Sequence, residues 1–554
     1  MKFLNRIYTA VTVSALMLTV SACSMFDLDV NKDPNNPTSA SPNLLLTSIQ
    51  TNLVSDLAGT DQTLETFLGI MGTQATSRWD FQNNAFDGLW QSMYSQSFNN
   101  LNQLIDKAQS TNSPIYLGIA QTLKAYAAAT MVDLWGDIPF SEANLAASDK
   151  KNFYPKYDKD ADVYNACLAL LDEATNNLAK TSPVTVAGDL IYGGDAVRWK
   201  KLATTMKLKL LMTGRKSIPD AAAKIQAALN AGGFITGTAD DFKFTFSKDP
   251  TSLRHPWYIG PYTGNEFTYI CHQYMMESYL DLDPRARFYF RNQTVAKLDL
   301  TDVSQRNNAP LGGKWGYIPT TRWYDTLRAR GYDSLFINGI FGRDRGDASG
   351  IPSDGSLRTI PGVYPCGGYY GSNITKASIP VANAASGGGI FPALTEVNVD
   401  YYRIEAILAI NAVGGADSAK TIFGNAIRKH ISRVVSFGLS ADAASVSPTT
   451  AAIDAYVGKW IARYTAASSN EAKLNVVMKQ LWFSSFGNGF EIYNAYRRTG
   501  YPNTIDDLTA PSPKGATSFI YRLPYPSSEI NLNTSMGDSQ KAVKYWIDKI
   551  FWNK

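Results

Sequence analysis

QLWFSSFGNGFEIYNAYRRTGYP (480–502) holds the end of one helix, which the pattern places over 470–485, and a second helix containing Tyr493 and Tyr496. Gly500 and Pro502 stop the second helix, because glycine closes a helix end without steric penalty and proline cannot continue it. Arg497 and Arg498 fall near its C-terminus, where cations meet the negative end of the helix dipole. These are the demands of a scaffold, so the motif residues are assigned to the fold and none to a ligand. Helical character also marks 398–412, 416–436, 451–466 and 538–551.

The N-terminal side repeats the pattern. Gly136 and Pro139 end a helix within MVDLWGDIPFSEA (131–143). Four apolar stripes at helical spacing run from Trp90 to Ala108, Leu117 to Leu134, Tyr164 to Leu178 and Trp199 to Leu210. Evenly sized helices with short connections pair as antiparallel hairpins. The expected fold is mainly α: a tetratricopeptide-like scaffold of helical pairs over 43–234, although no 34-residue consensus is evident. Residues 235–395 differ. Gly, Pro, Ser, Asn and aromatics dominate there, with short strands expected at FKFTF (242–246) and SLFING (334–339). GGYYGSN (367–373) and ASGGGIFP (385–392) read as loops, and residues 396–554 return to helices that complete the same fold.

The N-terminus has Lys2 and Arg6, an apolar run from Ala10 to Val20, and small residues before Cys23. That is the layout of a secretory signal, here residues 1–22, and it resembles the bacterial lipobox, whose cysteine is acylated. Cys23 is therefore the expected lipidation site, and the polar, Pro-rich segment 23–42 the tether. Asp27, Asp29, Asn31 and Asp33 alternate like a calcium loop, but the required glycine and distant glutamate are not in place. Without the signal the formal charge falls from +4 to +2, since that segment carries two cations and no acid. A nearly neutral chain has no electrostatic footprint for nucleic acid.

Cys167, Cys271 and Cys366 allow at most one disulfide, of which Cys271–Cys366 is one option; Cys167 lies on an apolar helix stripe. His255, His272 and His430 are scattered, with His430 on a basic helix face. No metalloprotease, P-loop, nucleophile-elbow or serine–lysine pattern occurs, so no catalytic residue, metal or cofactor is assigned.

Aromatic residues make up 12% of the chain, and many fall in loops. Trp79 and Asp80 precede the Trp90 helix. Trp257, Tyr258 and Tyr262 lie in HPWYIGPYTGNEFTY (255–269), and Trp315, Tyr317, Trp323 and Tyr324 follow. Sugar rings stack their C–H faces on aromatic planes while Asp, Asn and Arg bond the hydroxyls. These nine residues form the candidate ligand set, against the alternative that each packs a loop onto the scaffold.

Several segments together resemble the SusD/RagB family of Bacteroidetes outer-membrane lipoproteins: NKDPNNPTSASPNLLLTSIQ (31–50), MVDLWGDIPFSEA, IYGGDAVRWKKLATTMKLKLLM (191–212), the 480–502 stretch and RLPYPSSEINLN (522–533). The resemblance spans essentially the whole mature chain and implies one interlocked fold. It also implies a non-catalytic, lipid-anchored receptor on the cell exterior. Such a receptor captures a glycan, or in some members a peptide, and acts as lid to a TonB-dependent transporter barrel of the SusC type. A surface glycosidase and a helical-repeat adaptor are the competing expectations.

Overall fold

The computed structural model describes residues 40–73, 79, 81–82, 84–145, 151–263, 268–291, 342–346, 359–371, 385–413, 415–506 and 519–553. Helix α1 (Pro42–Phe67) starts with a proline at its first position, where the missing N–H has no partner to lose. Its buried face, including Leu46, Ile49, Leu53 and Leu64, packs against α2 (Asn99–Ser110), which continues a π-helical turn at Met93–Phe98. Helix α3 (Pro114–Trp135) is buried on nearly every face and is alanine-rich, which lets neighbours approach. It pairs with α4 (Asp160–Leu178) so closely that a Cβ on Gly118 would sit 2.6 Å from Leu178 Cγ. Helix α5 (Ala196–Thr213) packs on α4 and is capped by Asp195, whose carboxylate accepts from the Val197 and Arg198 N–H groups. Helix α6 (Ala221–Ala231) follows.

The loop-rich stretch contributes α7 (His272–Leu280), a helix the sequence pattern missed, and short strands. Among the described residues three antiparallel pairs form: β1 (Met71–Thr73) with β3 (Thr268–Ile270), β2 (Phe242–Thr245) with β6 (Ile390–Leu394), and β4 (Phe290–Arg291) with β5 (Ile360–Pro361). FKFTF is the expected strand. ASGGGIFP, expected as loop throughout, instead enters a strand at Ile390, where Phe391 pairs with Phe244. A two-stranded ribbon leaves every strand an edge, where Pro392 is tolerated. SLFING lies outside the described residues.

Helices α8 (Glu396–Ile410), α9 (Gly415–Ala441), α10 (Thr450–Ala466), α11 (Asn470–Ser484) and α12 (Gly489–Thr499) close the mainly α fold. The expected helix at 538–551 is reduced to Asp538–Lys541. Its remainder is irregular because its aromatics anchor separately. The Trp552 indole donates to Asp133 Oδ1 (3.0 Å), and the Tyr545 carbonyl accepts from the Tyr521 N–H (2.9 Å).

The motif segments interlock. Asp133 of α3 also accepts from the Tyr164 hydroxyl (2.9 Å) and the Asn494 amide (2.6 Å). Trp135 donates to the Pro524 carbonyl (2.9 Å), and Arg497 to the carbonyls of Asp133 and Tyr521 (2.7 and 2.8 Å). Arg498 grips Glu405 through Nε (2.9 Å) and Nη2 (2.7 Å), and Arg215 reaches the same carboxylate at 2.6 Å. Burial works against that charge, yet Arg498 and then Arg215 hold Glu405 below its usual range. Gly500 adopts the left-handed conformation (φ 77°) and closes α12.

The three cysteines of the described residues are buried free thiols, so Cys271 and Cys366 are not bonded; burial pushes each up to about 12. No helix among the described residues is long and apolar enough to cross a membrane.

Candidate functional site

The described ends of the loop-rich region meet over α7, β4 and β5. His255 starts this wall. Its Nδ1 accepts from the Trp257 N–H (3.1 Å), and burial lowers the ring to about 3, so it is a neutral acceptor. Trp257 is buried edge-to-face on Phe486 (5.4 Å). One turn on, Tyr258 and Tyr262 stack at 4.8 Å and 15°. Arg254 lies 5.7 Å from the Tyr258 ring. Arg291 lies 5.6 Å from the Tyr262 ring and 4.7 Å from that of Tyr369. The Tyr262 hydroxyl donates to the Pro361 carbonyl (2.6 Å) and accepts from the Tyr369 N–H (3.4 Å). Burial raises the Tyr262 phenol and pushes Tyr369 up to about 12, so both stay protonated. Tyr370 continues the wall, with its ring 4.8 Å from Phe288 and its N–H donating to Asp442 Oδ2 (2.9 Å).

This arrangement is a base of stacked rings and guanidinium groups. It corrects one expectation: Trp257, Tyr258 and Tyr262 do not present open ring faces, because protein covers both sides of the stack. Trp79 is likewise inside. It meets Phe67 edge-to-face (5.8 Å), and the Arg345 guanidinium sits 4.8 Å from its ring. Trp257 is covered by packing on Phe486, whereas Tyr262 and Trp79 lie beside the buried Arg291 and Arg345, where desolvation strengthens the ring–cation attraction. Asp80, Trp315, Tyr317, Trp323 and Tyr324 lie outside the described residues. Arg254 and Arg291, which complete the stack, carried no sequence signal, since each is a lone cation beside an aromatic run.

The other titratable groups serve the scaffold. His430 is buried, and its Nδ1 sits 3.0 Å from Arg285 Nη1. Burial first, then Arg285 and Arg433, push that histidine well down. Asp61 accepts from the Gly489 N–H (2.5 Å) and Glu65 from the Gly487 N–H (2.6 Å), tying α1 to the start of α12. Burial raises Asp61 to about 8, and burial together with the Asp61 charge holds Glu65 well above its usual range. Among the described residues no group of three or more His, Cys, Asp or Glu is placed to hold a metal ion.

Two family models match the chain. One, described as starch-binding and associating with the outer membrane, covers residues 34–309; the other, the SusD and RagB outer-membrane lipoproteins, covers 394–546. No curated protein sequence matches. Among solved structures, a chitin-binding protein is 21% identical, with TM-score 0.68 over 93% of this chain and 100% of its own. A SusD homologue from Bacteroides fragilis is 18% identical, with TM-score 0.64 over 93% and 100%. A chitin-binding SusD homologue from Flavobacterium johnsoniae is 17% identical, with TM-score 0.64 over 93% and 97%. With the motif segments locked to one another in the described core and both halves matching, the chain belongs to the SusD/RagB family of outer-membrane lipoproteins.

Proposed function

We propose that the protein is a non-catalytic surface receptor that captures a glycan and delivers it to a TonB-dependent transporter of the SusC type, acting as its lid. The observation that carries this reading is a fold shared along nearly the whole chain with chitin-binding relatives, in a family described as starch-binding. Cys23 holds the lipid that keeps it on the outer membrane, facing the exterior. Trp257, Tyr258 and Tyr262, with Trp79 packed on Phe67 of α1, form a covered base, and the sugar meets other aromatic faces. Trp315, Tyr317, Trp323 and Tyr324 supply those faces, and Asp80 bonds hydroxyls.

The test is calorimetric titration of residues 24–554 with chitin, starch and other plant and microbial oligosaccharides, with a peptide pool alongside. Saturable binding of one glycan class without product formation is expected. Binding of peptides alone would replace the ligand class within the same architecture. Hydrolysis of the glycan would make the protein a glycosidase, and silence toward every probe would favour an assembly adaptor.

A further inference from the structure

A second cleft, of about 520 Å³, opens on the helical scaffold, lined from residues 87–95, 139–144, 152–155 and 528–529. That volume suits one or two sugar rings. Its floor is Trp90 and Tyr94, one helical turn apart with ring centroids 5.1 Å apart. Phe153 forms a lip and is 68% exposed. A large exposed aromatic on a slack loop needs no explanation, but this loop is braced. Asn152 Oδ1 accepts from the Tyr154 N–H (3.0 Å), while its Nδ2 donates to Glu142 (2.9 Å). The Tyr154 carbonyl accepts from the Ser535 hydroxyl (2.7 Å), and the Pro155 carbonyl from Asn533 Nδ2 (3.1 Å). The ring is therefore held out in water by directional bonds on both sides.

The polar lining points to one ligand class. Asn144 is fixed in the left-handed region (φ 61°), and its Nδ2 donates to the Tyr94 carbonyl (3.0 Å). Its Oδ1 is buried and has no hydrogen-bond partner among the described residues, a position a ligand hydroxyl or amide N–H would satisfy. Asp87 and Glu529 add carboxylates held in place by the Ser527 N–H (2.9 Å) and the Tyr157 hydroxyl (2.8 Å), each with acceptor sites to spare. Among the described residues no lysine or arginine lines the cleft, and the charged groups that do are the Asp87 and Glu529 carboxylates, which disfavour an anion. The Phe153 ring and the half-buried Tyr94, fixed acceptors and, among the described lining residues, no cation suit an uncharged saccharide rich in donors.

We propose that this cleft is a second saccharide-binding site, which goes beyond the loop-borne capture site because it stands on the helical scaffold and the loop after α3. It holds a distal part of a long glycan, or a second chain.

The test titrates residues 24–554 with chitohexaose, maltoheptaose and, as a cationic control, trilysine. Phe153→Ala, whose ring is exposed, leaves the thermal midpoint unchanged and weakens sugar binding at the cleft by about tenfold or more. Asn144→Ala weakens it as well. In the Trp315→Ala/Trp323→Ala double variant the cleft still binds sugar, and adding Phe153→Ala abolishes it. If the loop tryptophans prove irrelevant but Phe153→Ala still weakens binding, the capture site is misplaced and the cleft stands. Undiminished affinity in Phe153→Ala for both sugars overturns the proposal. So does a wild-type protein that binds neither sugar, or one that binds trilysine more tightly than either.

Discussion

The junction of α3, α8 and α12 and the stacked base around Tyr258 and Tyr262 are both packed with aromatic and cationic residues, yet the balance of contacts that holds them differs. At the junction each arginine has named oxygen partners: Arg498 and Arg215 share Glu405, and Arg497 meets two backbone carbonyls. At the base the ring contacts are more prominent: Arg291 lies over the rings of Tyr262 and Tyr369, and Arg254 lies 5.7 Å from the Tyr258 ring while its Nε donates to the Lys248 carbonyl (2.8 Å). The first arrangement fixes angles between distant segments, because directional bonds tolerate little displacement. The second fixes spacing but allows sliding, because ring–cation attraction varies gently with offset. A scaffold needs the former; a platform carrying ligand loops can be built from the latter.

The sharpest way to break this contrast is Glu405→Ala, which leaves Arg498 and Arg215 buried without their carboxylate. Such unpaired charges cost about 3–5 kcal/mol, read as a fall in the urea midpoint. A loss below about 1 kcal/mol would mean that the junction is held by packing and not by its ion pairs. Next in size, Trp315→Ala or Trp323→Ala weakens glycan binding by about 1–3 kcal/mol per lost stack, with no change in melting temperature. A drop in melting temperature with intact affinity would move those rings from ligand to base. Smaller again, Tyr262→Phe keeps the stack and removes one hydroxyl, costing about 1 kcal/mol of stability. A much larger effect would show that the base, too, depends on directional bonds.

The last test reads a slope. Asp61 is raised in the folded state from 3.8 to about 8, so the fold binds its proton more tightly than the unfolded chain does. That contribution is complete at acid pH and is lost as pH rises from 3.8 through about 8. Asp61→Asn keeps an acceptor for the Gly489 N–H and should flatten the decline of urea midpoint across that range. An unchanged slope would assign the decline elsewhere. His255 works in the opposite direction: its ring is lowered to about 3, so stability is lost as pH falls below 6.5.

Much of the scaffold was legible. Gly136, Pro139, Gly500 and Pro502 announce helix ends through backbone geometry alone, which is local and survives any tertiary context. The apolar stripes placed the helices that pack on one another. Two local readings failed where distant partners decided. Ile390–Leu394 became a strand because β2 lies beside it, and 542–551 lost its helix because Tyr545 and the adjoining Trp552 dock into the scaffold.

The candidate site was legible in composition but not in orientation. That aromatics crowd the loops is plain from the sequence; which face of each ring meets water is not. Tyr258 is covered because Tyr262 stacks on it, and Tyr262 because Arg291, 29 positions on, folds over it. Phe153, in contrast, stands exposed because Asn533 and Ser535, far along the chain, brace its loop.

By itself, then, the sequence determined where helices stop and which stripes are buried, because dihedral preference and apolar periodicity act over a few residues. Only the tertiary structure decided which rings, carboxylates and thiols are covered and which face a cleft. Burial and hydrogen-bond partnership belong to residues brought together from hundreds of positions apart, and no local pattern encodes that meeting.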